Sequence, residues 1–268
     1  MLFHSEKVDQ RLAAESPVVV MARGHSGTRV LAWALQKLGI RMGASEQVPT
    51  GDVQDQRFSR TIKRVCRATL HQSPTADVRG GLLRVFQRSV IGYLEWLGED
   101  RSLWGWKFPE SYLIPNYIAA TFPNARYIHL VRDGRDIAFK HHLTDDPNRR
   151  LGRKLLKHLA ALDLPHHVQA AMSWDFQMQR YDQFRTSALP AVHTISFESL
   201  CQDPIATMQG VCQFLRCPMN APCRDYLSSV INPGKVAQYR QHDLIEVTEA
   251  EAVMTASMSR YGYLTRAA

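Results

Sequence analysis

Two glycines and two arginines fall within residues 23–29, and this is the first place where residue types and spacing suggest chemistry. The segment reads Arg-Gly-His-Ser-Gly-Thr-Arg and lies between an apolar run, 17–22, and a helical pattern that begins near Thr28. Unpaired backbone N–H groups and the helix dipole at such a junction can hold a phosphate. The glycines permit a tight turn close to the anion, Thr28 supplies a hydroxyl and Arg29 a charge. We therefore predict an anion-binding loop. Because glycines are common in such turns, this prediction needs support from a second anion-binding segment elsewhere in the chain.

The loop differs from a Walker A motif, which ends in Gly-Lys-Ser/Thr. Here Gly27 is followed by Thr28 and Arg29, so the lysine that binds β- and γ-phosphates is missing, as is a well-placed hydroxyl for magnesium. This difference disfavours hydrolysis of ATP or GTP. A P-loop nucleotide kinase and a non-catalytic nucleotide-binding protein stay as alternatives.

A second cluster of charged residues occupies 127–136, with the sequence Tyr-Ile-His-Leu-Val-Arg-Asp-Gly-Arg-Asp. Its apolar half predicts a strand that delivers Arg132 to the carboxyl edge of a parallel sheet, where ligands bind in open α/β folds. A guanidinium there can grip a phosphate with two hydrogen bonds. The alternative is a surface group of Arg–Asp pairs at a helix start. His129 is interpreted as a packed strand residue.

Strands that alternate with helices must position these two segments. The predicted strands are 17–22, 103–107, 126–131 and 192–196, and the predicted helices are 28–38, 78–97, 112–121, 166–187 and 204–215, with a further helix from Asp133. We expect Gly39 at a C′ position, an Asp203 N-cap, a capping box at 248–251 and a mobile excursion at 145–164. Alternation of this kind predicts an α/β fold with a central parallel sheet, and we expect one domain over 1–268.

The charge balance indicates an anionic ligand or partner. Lysine and arginine total 33 against 25 acidic residues, a formal net charge of +8. Nucleotides, nucleic acids, charged glycans and membrane surfaces all fit this surplus. No apolar run approaches the roughly 18–20 residues of a membrane span, and the first residues show no secretory signal.

The five cysteines do not follow metal-ligand spacing, although four of them fall within 201–223. We interpret them as reduced, mostly packed thiols of a cytoplasmic protein, and we expect no zinc site.

Together the two charged segments resemble the PAPS-dependent sulfotransferase superfamily, whose members transfer a sulfuryl group from 3′-phosphoadenosine 5′-phosphosulfate (PAPS). RGHSGTR is similar to the family's 5′-phosphosulfate loop, and LVRDGRD to its 3′-phosphate motif in a form common among bacterial-type members. Four more pieces follow in family order: the strand WGWKFP at 104–109, Trp174, the region 195–215, and the loop NPGK at 232–235 with Arg240. The resemblance spans about 17–264.

The resemblance implies a three-layer sandwich with a P-loop-NTPase-like sulfotransferase fold, PAPS as co-substrate, PAP as product and no required metal. It implies that Arg132 holds the 3′-phosphate, and that Lys235 and Arg240 close over it. The 5′-phosphosulfate would be held by Arg23, Gly24, His25, Ser26, Gly27, Thr28 and Arg29.

Two positions depart from the family pattern. His25 stands where most members have Lys or Arg, the cation that stabilises the oxygen of the leaving group. A nearby anionic ligand would raise the pKa of this histidine, so His25 can still serve, or Arg23 or Arg29 can replace it. Lys140 stands where a serine usually binds the 3′-phosphate, and it can supply a point charge instead.

Charge stabilisation and positioning dominate in-line transfer, by analogy with phosphoryl transfer. We expect Lys107 to face the sulfuryl group as an electrostatic stabiliser. An acceptor hydroxyl also needs a general base. Pro109 occupies the position of the histidine base of the small-phenol branch, so we nominate Glu46 first and Glu110 second.

The acceptor is expected to be a small molecule, a glycan or a lipid-linked molecule. A hydroxyl of a carbohydrate, glycolipid or natural product is favoured over an amine. Nucleic acid is not needed to explain the charge, because the cofactor-site cations account for part of it. The basic stretch 149–157 stays unassigned and leaves an acidic acceptor as an open hypothesis.

Overall fold

A parallel four-stranded sheet is the centre of the molecule. The computed structural model describes residues 10–43, 55–73, 77, 79–98, 100 and 102–264. The strands are β1 (Val18–Met21), β2 (Gly105–Lys107), β3 (Arg126–Val131) and β4 (Ala191–Ser196), in the spatial order β2-β1-β3-β4. β1 and β2 are buried throughout, as expected for short apolar runs covered on both faces.

Helices and short connecting turns follow the strands. The α-helices are α1 (Thr28–Lys37), α2 (Gln56–Thr69), α3 (Gly80–Leu97), α4 (Pro115–Thr121), α5 (Gly134–Ala138), α6 (Arg150–His158), α7 (His166–Ala188), α8 (Phe197–Gln202), α9 (Pro204–Leu215), α10 (Ala221–Val230), α11 (Leu244–Ala252) and α12 (Thr255–Arg260). In the part of the chain that the structure describes, 3₁₀ helices span Pro109–Leu113, Pro233–Lys235 and Gln238–Gln241. Within the described residues, none of these helices is long and apolar enough to cross a lipid bilayer.

Helices cover both faces of the sheet, so the fold is the expected three-layer α/β sandwich. On one face α7 packs against β3, where the Tyr181 ring stacks on His129 with centroids 3.9 Å apart. On the other face α9 packs against β4, where Phe214 stacks on His193. The alternation of side chains along a strand sends His129 and His193 to opposite layers. The prediction that His129 is a packed strand residue is confirmed.

Several predicted boundaries are confirmed by their caps. Gly39 has φ +90° directly after α1, as a C′ glycine should. The Asp203 carboxylate accepts a hydrogen bond from the Ala206 N–H at 2.9 Å and caps α9.

The cysteines in the described chain are free thiols, and only Cys217 is not buried.

Three predictions about local structure are wrong. Residues 145–164 are not a mobile excursion, because Leu151, Leu155 and Leu156 are buried and anchor α6. The helix predicted over 112–121 is divided, since a residue before a proline avoids α geometry and Pro115 starts a new helix. The box at 248–251 caps nothing, because Asp243 already caps α11 through the Ile245 N–H.

Candidate functional site

The carboxyl ends of the strands bring the segments predicted to do chemistry to one edge of the sheet. Val20 of β1 pairs with Lys107 of β2 and with Ile128 of β3. The glycine loop that follows β1 (residues 22–27), the end of β2 and the Arg132 side chain after β3 therefore emerge side by side. This is the edge where parallel α/β sheets bind ligands.

The glycine loop ends in an uncapped helix start. Gly27 is the N-cap of α1 with φ +84°, and α1 has neither a side-chain cap nor an acidic residue in its first turn. The side chains of Ser26 and Thr28 are buried, and Arg29 is exposed on the first turn of α1. The positive end of the helix dipole and its backbone N–H groups are therefore available to an anion.

Close packing explains both glycines of the loop. A Cβ on Gly24 would lie 2.2 Å from the His142 ring, and one on Gly27 would lie 2.5 Å from the Phe197 ring. Neither distance can be tolerated, and the positive φ of Gly27 independently favours glycine. His142 and Phe197 thus fix the course of the loop.

Arg23 supports the loop from inside the protein. Its side chain is fully buried, donates to the Gly24 carbonyl at 3.0 Å and forms an ion pair with Asp145. Burial lowers the pKa of Arg23 to about 9, so the guanidinium stays charged at neutral pH. The structure therefore places this predicted ligand contact behind the loop, where its partner is a carboxylate of the chain.

Arg132 joins three separate segments of the chain at the sheet edge. Its guanidinium donates to the Asp136 carboxylate at 2.8 Å, to the His25 carbonyl at 2.8 Å and to the Lys235 carbonyl at 2.5 Å. The Phe197 ring lies beneath it, 4.2 Å from the guanidinium carbon. Each of the two interpretations of residues 127–136 describes part of this arrangement. Arg132 lies at the carboxyl edge of the sheet, and it also belongs to a buried Arg–Asp pair.

The segment from Pro233 to Gln241 is attached to the site through the same residues. The other Asp136 oxygen accepts from the Tyr239 backbone N–H at 2.9 Å, and the Lys140 ammonium donates to Gln238 at 3.1 Å. Burial lowers the pKa of Lys140, and the charges of Arg132 and Lys235 lower it further. Lys235 itself is exposed. Lys140, Lys235 and Arg132 therefore form a positively charged group at one end of the site.

His25 is an exposed residue of the glycine loop and is within electrostatic range of Arg23, Lys140 and Arg132. Its Nε2 is 2.8 Å from the His141 carbonyl, and its backbone is left-handed with φ +69°. Partial removal of the ring from water lowers the pKa of His25, and the positive charge of Arg23 lowers it further. The imidazole is therefore neutral at pH 7 in the protein alone, and an anion beside it would shift the pKa in the opposite direction.

Of the two candidate bases, Glu110 lies beside the site and Glu46 lies outside the described residues. Glu110 lies in the 3₁₀ helix Pro109–Leu113, three residues after the end of β2, and is 2% exposed. Its carboxylate is 3.6 Å from the Lys63 ammonium. Burial raises the pKa of Glu110, while Lys63 and Lys107 act against that rise. Lys107 is also buried, at the carboxyl end of β2.

Sequence reasoning missed the residues that hold the cations in place. Asp136, Asp145, His142 and Phe197 position Arg132, Arg23 and the glycine loop, and none of them was a candidate. Asp136 had a detectable signal, because it lies four residues after Arg132 on the incoming helix. The other three lie more than a hundred residues away from Arg23 and Gly27, and only the fold brings them close.

Arg240 is the most peripheral of the candidate ligand contacts. It is exposed on the 3₁₀ helix Gln238–Gln241, with its guanidinium carbon 6.0 Å from the centre of the Tyr239 ring.

Within the residues that the structure describes, there is no group of three or more His, Cys, Asp or Glu side chains that could hold a metal ion.

Comparison with known proteins gives a consistent family and fold. A model described as "Sulfotransferase family" matches residues 17–221, more than half of the chain. No curated protein sequence matches the chain closely enough to count as a relative. Lys235 and Arg240 lie beyond the matched range.

Three solved structures share the fold at low sequence identity. Sulfotransferase STF9 from Mycobacterium avium is 14% identical with a TM-score of 0.54, over 97% of this chain and 80% of that one. The sulfotransferase domain from the curacin biosynthetic pathway is 15% identical with a TM-score of 0.53, over 93% and 98%. Mouse sulfotransferase SULT7A1, complexed with PAP, is 14% identical with a TM-score of 0.51, over 97% and 94%.

Proposed function

The chain belongs to the sulfotransferase family, and from that premise we propose that it transfers a sulfuryl group from PAPS to a hydroxyl of an acceptor. One observation carries the choice of donor. Arg132 contacts both the glycine loop, through His25, and the segment Pro233–Lys235. Arg132 thus connects two places that can bind an anion: the uncapped start of α1, suited to a 5′-phosphosulfate, and the group that it forms with Lys140 and Lys235, suited to a 3′-phosphate.

The residues divide between the two ends of such a nucleotide. The uncapped start of α1, with Ser26, Thr28 and Arg29, would bind the 5′-phosphosulfate. Arg132, Lys140 and Lys235 would bind the 3′-phosphate, and exposed Arg240 lies at the rim of that end. The deep burial of Arg23 supports a positioning role, in which its pair with Asp145 holds the loop.

Transfer breaks one S–O bond and forms another. The acceptor oxygen attacks the sulfur in line, its proton passes to a carboxylate, and the electron pair of the broken bond stays on the 5′-phosphate of the departing PAP. Lys107 and His25 would stabilise the negative charge that develops on the transferring group and on the leaving oxygen. We assign the base to Glu110, because it lies three residues after Lys107 and its carboxylate is 3.6 Å from the Lys63 ammonium. Burial also raises the pKa of this carboxyl group, so the carboxylate accepts a proton more readily. Glu46 is the alternative.

The acceptor is proposed to be a small molecule, a glycan or a lipid-linked molecule, as the sequence predicts. The whole chain serves one site in this proposal, because residues between 23 and 240 converge on it. PAP is bound to the mouse neighbour, and this supports PAPS as the donor by analogy.

Isothermal titration calorimetry with PAP, and separately with ATP and magnesium, tests the donor. We expect PAP to bind without metal and more tightly than ATP–magnesium. A preference for ATP–magnesium would instead support a nucleotide kinase. Transfer of labelled sulfate from PAPS to an acceptor library then separates an enzyme from a protein that only binds the nucleotide.

A further inference from the structure

A cleft of about 550 Å³ opens beside the glycine loop and belongs to none of the roles given above. α2 contributes one wall, and the segment that leads into α6 contributes the other. We call it the basic cleft, and the side chains that matter to its chemistry are Lys63, Arg67, His141, His142, Arg149 and Arg150.

One wall of the basic cleft is also the support of the glycine loop. The His142 ring lies directly against Gly24, and the His141 carbonyl is 2.8 Å from the His25 Nε2. His141 and His142 therefore face the loop on one side and the cleft on the other. A molecule in the cleft lies next to the loop that would hold the phosphosulfate.

The opposite wall leads to the candidate base. Lys63 of α2 lines the cleft, and its ammonium is 3.6 Å from the Glu110 carboxylate. The Cys66 thiol, one helical turn further along α2, donates to the Glu110 carbonyl at 3.3 Å. Lys63 thus connects the lining of the cleft to the carboxylate that would take the acceptor's proton.

Positive charge dominates the lining of the cleft. Lys63 and Arg67 come from α2, Arg149 and Arg150 from the start of α6, and Asp146 is the single carboxylate among the described residues that line the cleft. Asp146 is 3.6 Å from Arg149 and offsets one of these charges. Four cations from two distant parts of the sequence therefore face one shared space. Clefts lined by one sign of charge concentrate ligands of the other sign.

We propose that the basic cleft is the acceptor site, and that the acceptor carries an anionic group in addition to the hydroxyl that is sulfated. Arg149 and Arg150 bind that carboxylate, phosphate or sulfate ester at the mouth of the cleft, and Lys63 and Arg67 continue the positive surface inward. The inference rests on the proposed function. It gives the unassigned basic stretch a role in selecting the substrate.

Matched probe pairs test the inference on the full-length protein saturated with PAP, so that the nucleotide site is occupied. The pairs are methyl glucuronide against methyl glucoside, and glucose 6-phosphate against glucose, each differing by one anionic group. Calorimetry or ligand-observed NMR measures the dissociation constants. We expect the anionic member to bind about tenfold more tightly, because charge-assisted hydrogen bonds are stronger than neutral ones. The preference should decrease in high salt.

Two variants locate the binding. Arg149→Gln/Arg150→Gln should reduce the preference for the anion to less than twofold and leave PAP affinity unchanged. Arg153→Gln is the matched control, since Arg153 is exposed on the same helix and does not line the cleft. It should keep the full preference. Both variants change exposed residues, and thermal unfolding verifies that they fold.

The outcomes separate the two proposals. Failure of PAP to bind would overturn the proposed function itself. Normal PAP binding with equal affinity for anionic and neutral probes would overturn the anionic acceptor alone. Equal loss in the Arg153→Gln control would show general surface attraction and would also contradict the assignment of the cleft.

Discussion

Arg132 is the residue whose contacts define the site. Replacing it with Ala should weaken PAP binding by about 1.5–3 kcal/mol, the contribution of a charge-assisted hydrogen bond. Arg132→Lys should lose less, because it keeps the charge but not the planar fork. Calorimetry measures both. Arg88→Ala is the control, because Arg88 is an exposed arginine of α3. An unchanged affinity for Arg132→Ala would remove this residue from the nucleotide site.

The Arg132→Ala variant also leaves Asp136 buried without its ion-pair partner. A buried carboxylate without its partner is costly, so some loss of stability is expected along with the loss of affinity. The folded fraction must therefore be measured by thermal unfolding before the affinities are compared.

His25 should link nucleotide binding to protonation. Partial removal of the ring from water and the charge of Arg23 lower its pKa in the protein alone, with smaller contributions from Lys140 and Arg132. A phosphate beside the ring raises the pKa in the complex, so binding takes up a proton. The resulting gain in affinity is present at low pH and is lost as pH rises through the pKa of the complex.

The measurement for His25 is the PAP affinity of the wild type and of His25→Asn between pH 5 and 8. The phosphate of the ligand itself titrates at about pH 6, and its protonation weakens binding at low pH in both proteins. The ratio of the two affinities removes this shared effect. It should rise as pH falls, and a ratio that does not change with pH would exclude His25 as the proton acceptor.

At the scale of elements, the junction between β1 and α1 depends on contact with α8. Gly27→Ala introduces a Cβ at positive φ and also against the Phe197 ring. Gly39→Ala, at the other end of α1, has a similar φ of +90° but no described atom within 4 Å of the added carbon. It is therefore the matched control for backbone strain.

We expect Gly27→Ala to destabilise the protein by at least about 1 kcal/mol more than Gly39→Ala, the lower range for overpacking. Urea unfolding gives the two free energies. PAP affinity should fall in Gly27→Ala and stay unchanged in Gly39→Ala. Equal effects on stability would mean that the Phe197 ring moves aside without cost.

The elements also show what the sequence could predict. Strand ends and the first glycine loop were predictable, because continuous apolar runs and Gly27 mark them locally. α2 and α6 were not found, since their buried stripes (Phe58 and Ile62, Leu151 and Leu155) lie among arginines and lysines. The burial of Arg23 was equally hidden, because its partner Asp145 is 122 positions away.

For the whole molecule, the site joins its early strands to a segment near residue 240. The 3₁₀ helices Pro233–Lys235 and Gln238–Gln241 contain no buried residues. They are held by Arg132, Asp136 and Lys140. Segments with few buried apolar contacts open at low free energy.

Hydrogen exchange measured by mass spectrometry should therefore show that PAP slows exchange in residues 233–241. α4, which is largely buried and is not among the elements placed at the site, should exchange at the same rate with and without PAP. Equal exchange of 233–241 in both states would contradict the assignment of Lys235 to the 3′-phosphate.

The internal contacts of Arg132 have a consequence for turnover. In the proposed complex, a phosphate bound to this guanidinium would replace the Lys235 and His25 carbonyls, so the affinity would measure a difference between two sets of hydrogen bonds. When PAP leaves, the same two carbonyls can again accept hydrogen bonds from the Arg132 guanidinium. In the proposed complex, release of PAP would therefore leave an Arg132 guanidinium that is again hydrogen-bonded within the protein, and PAP would be held less tightly as a result.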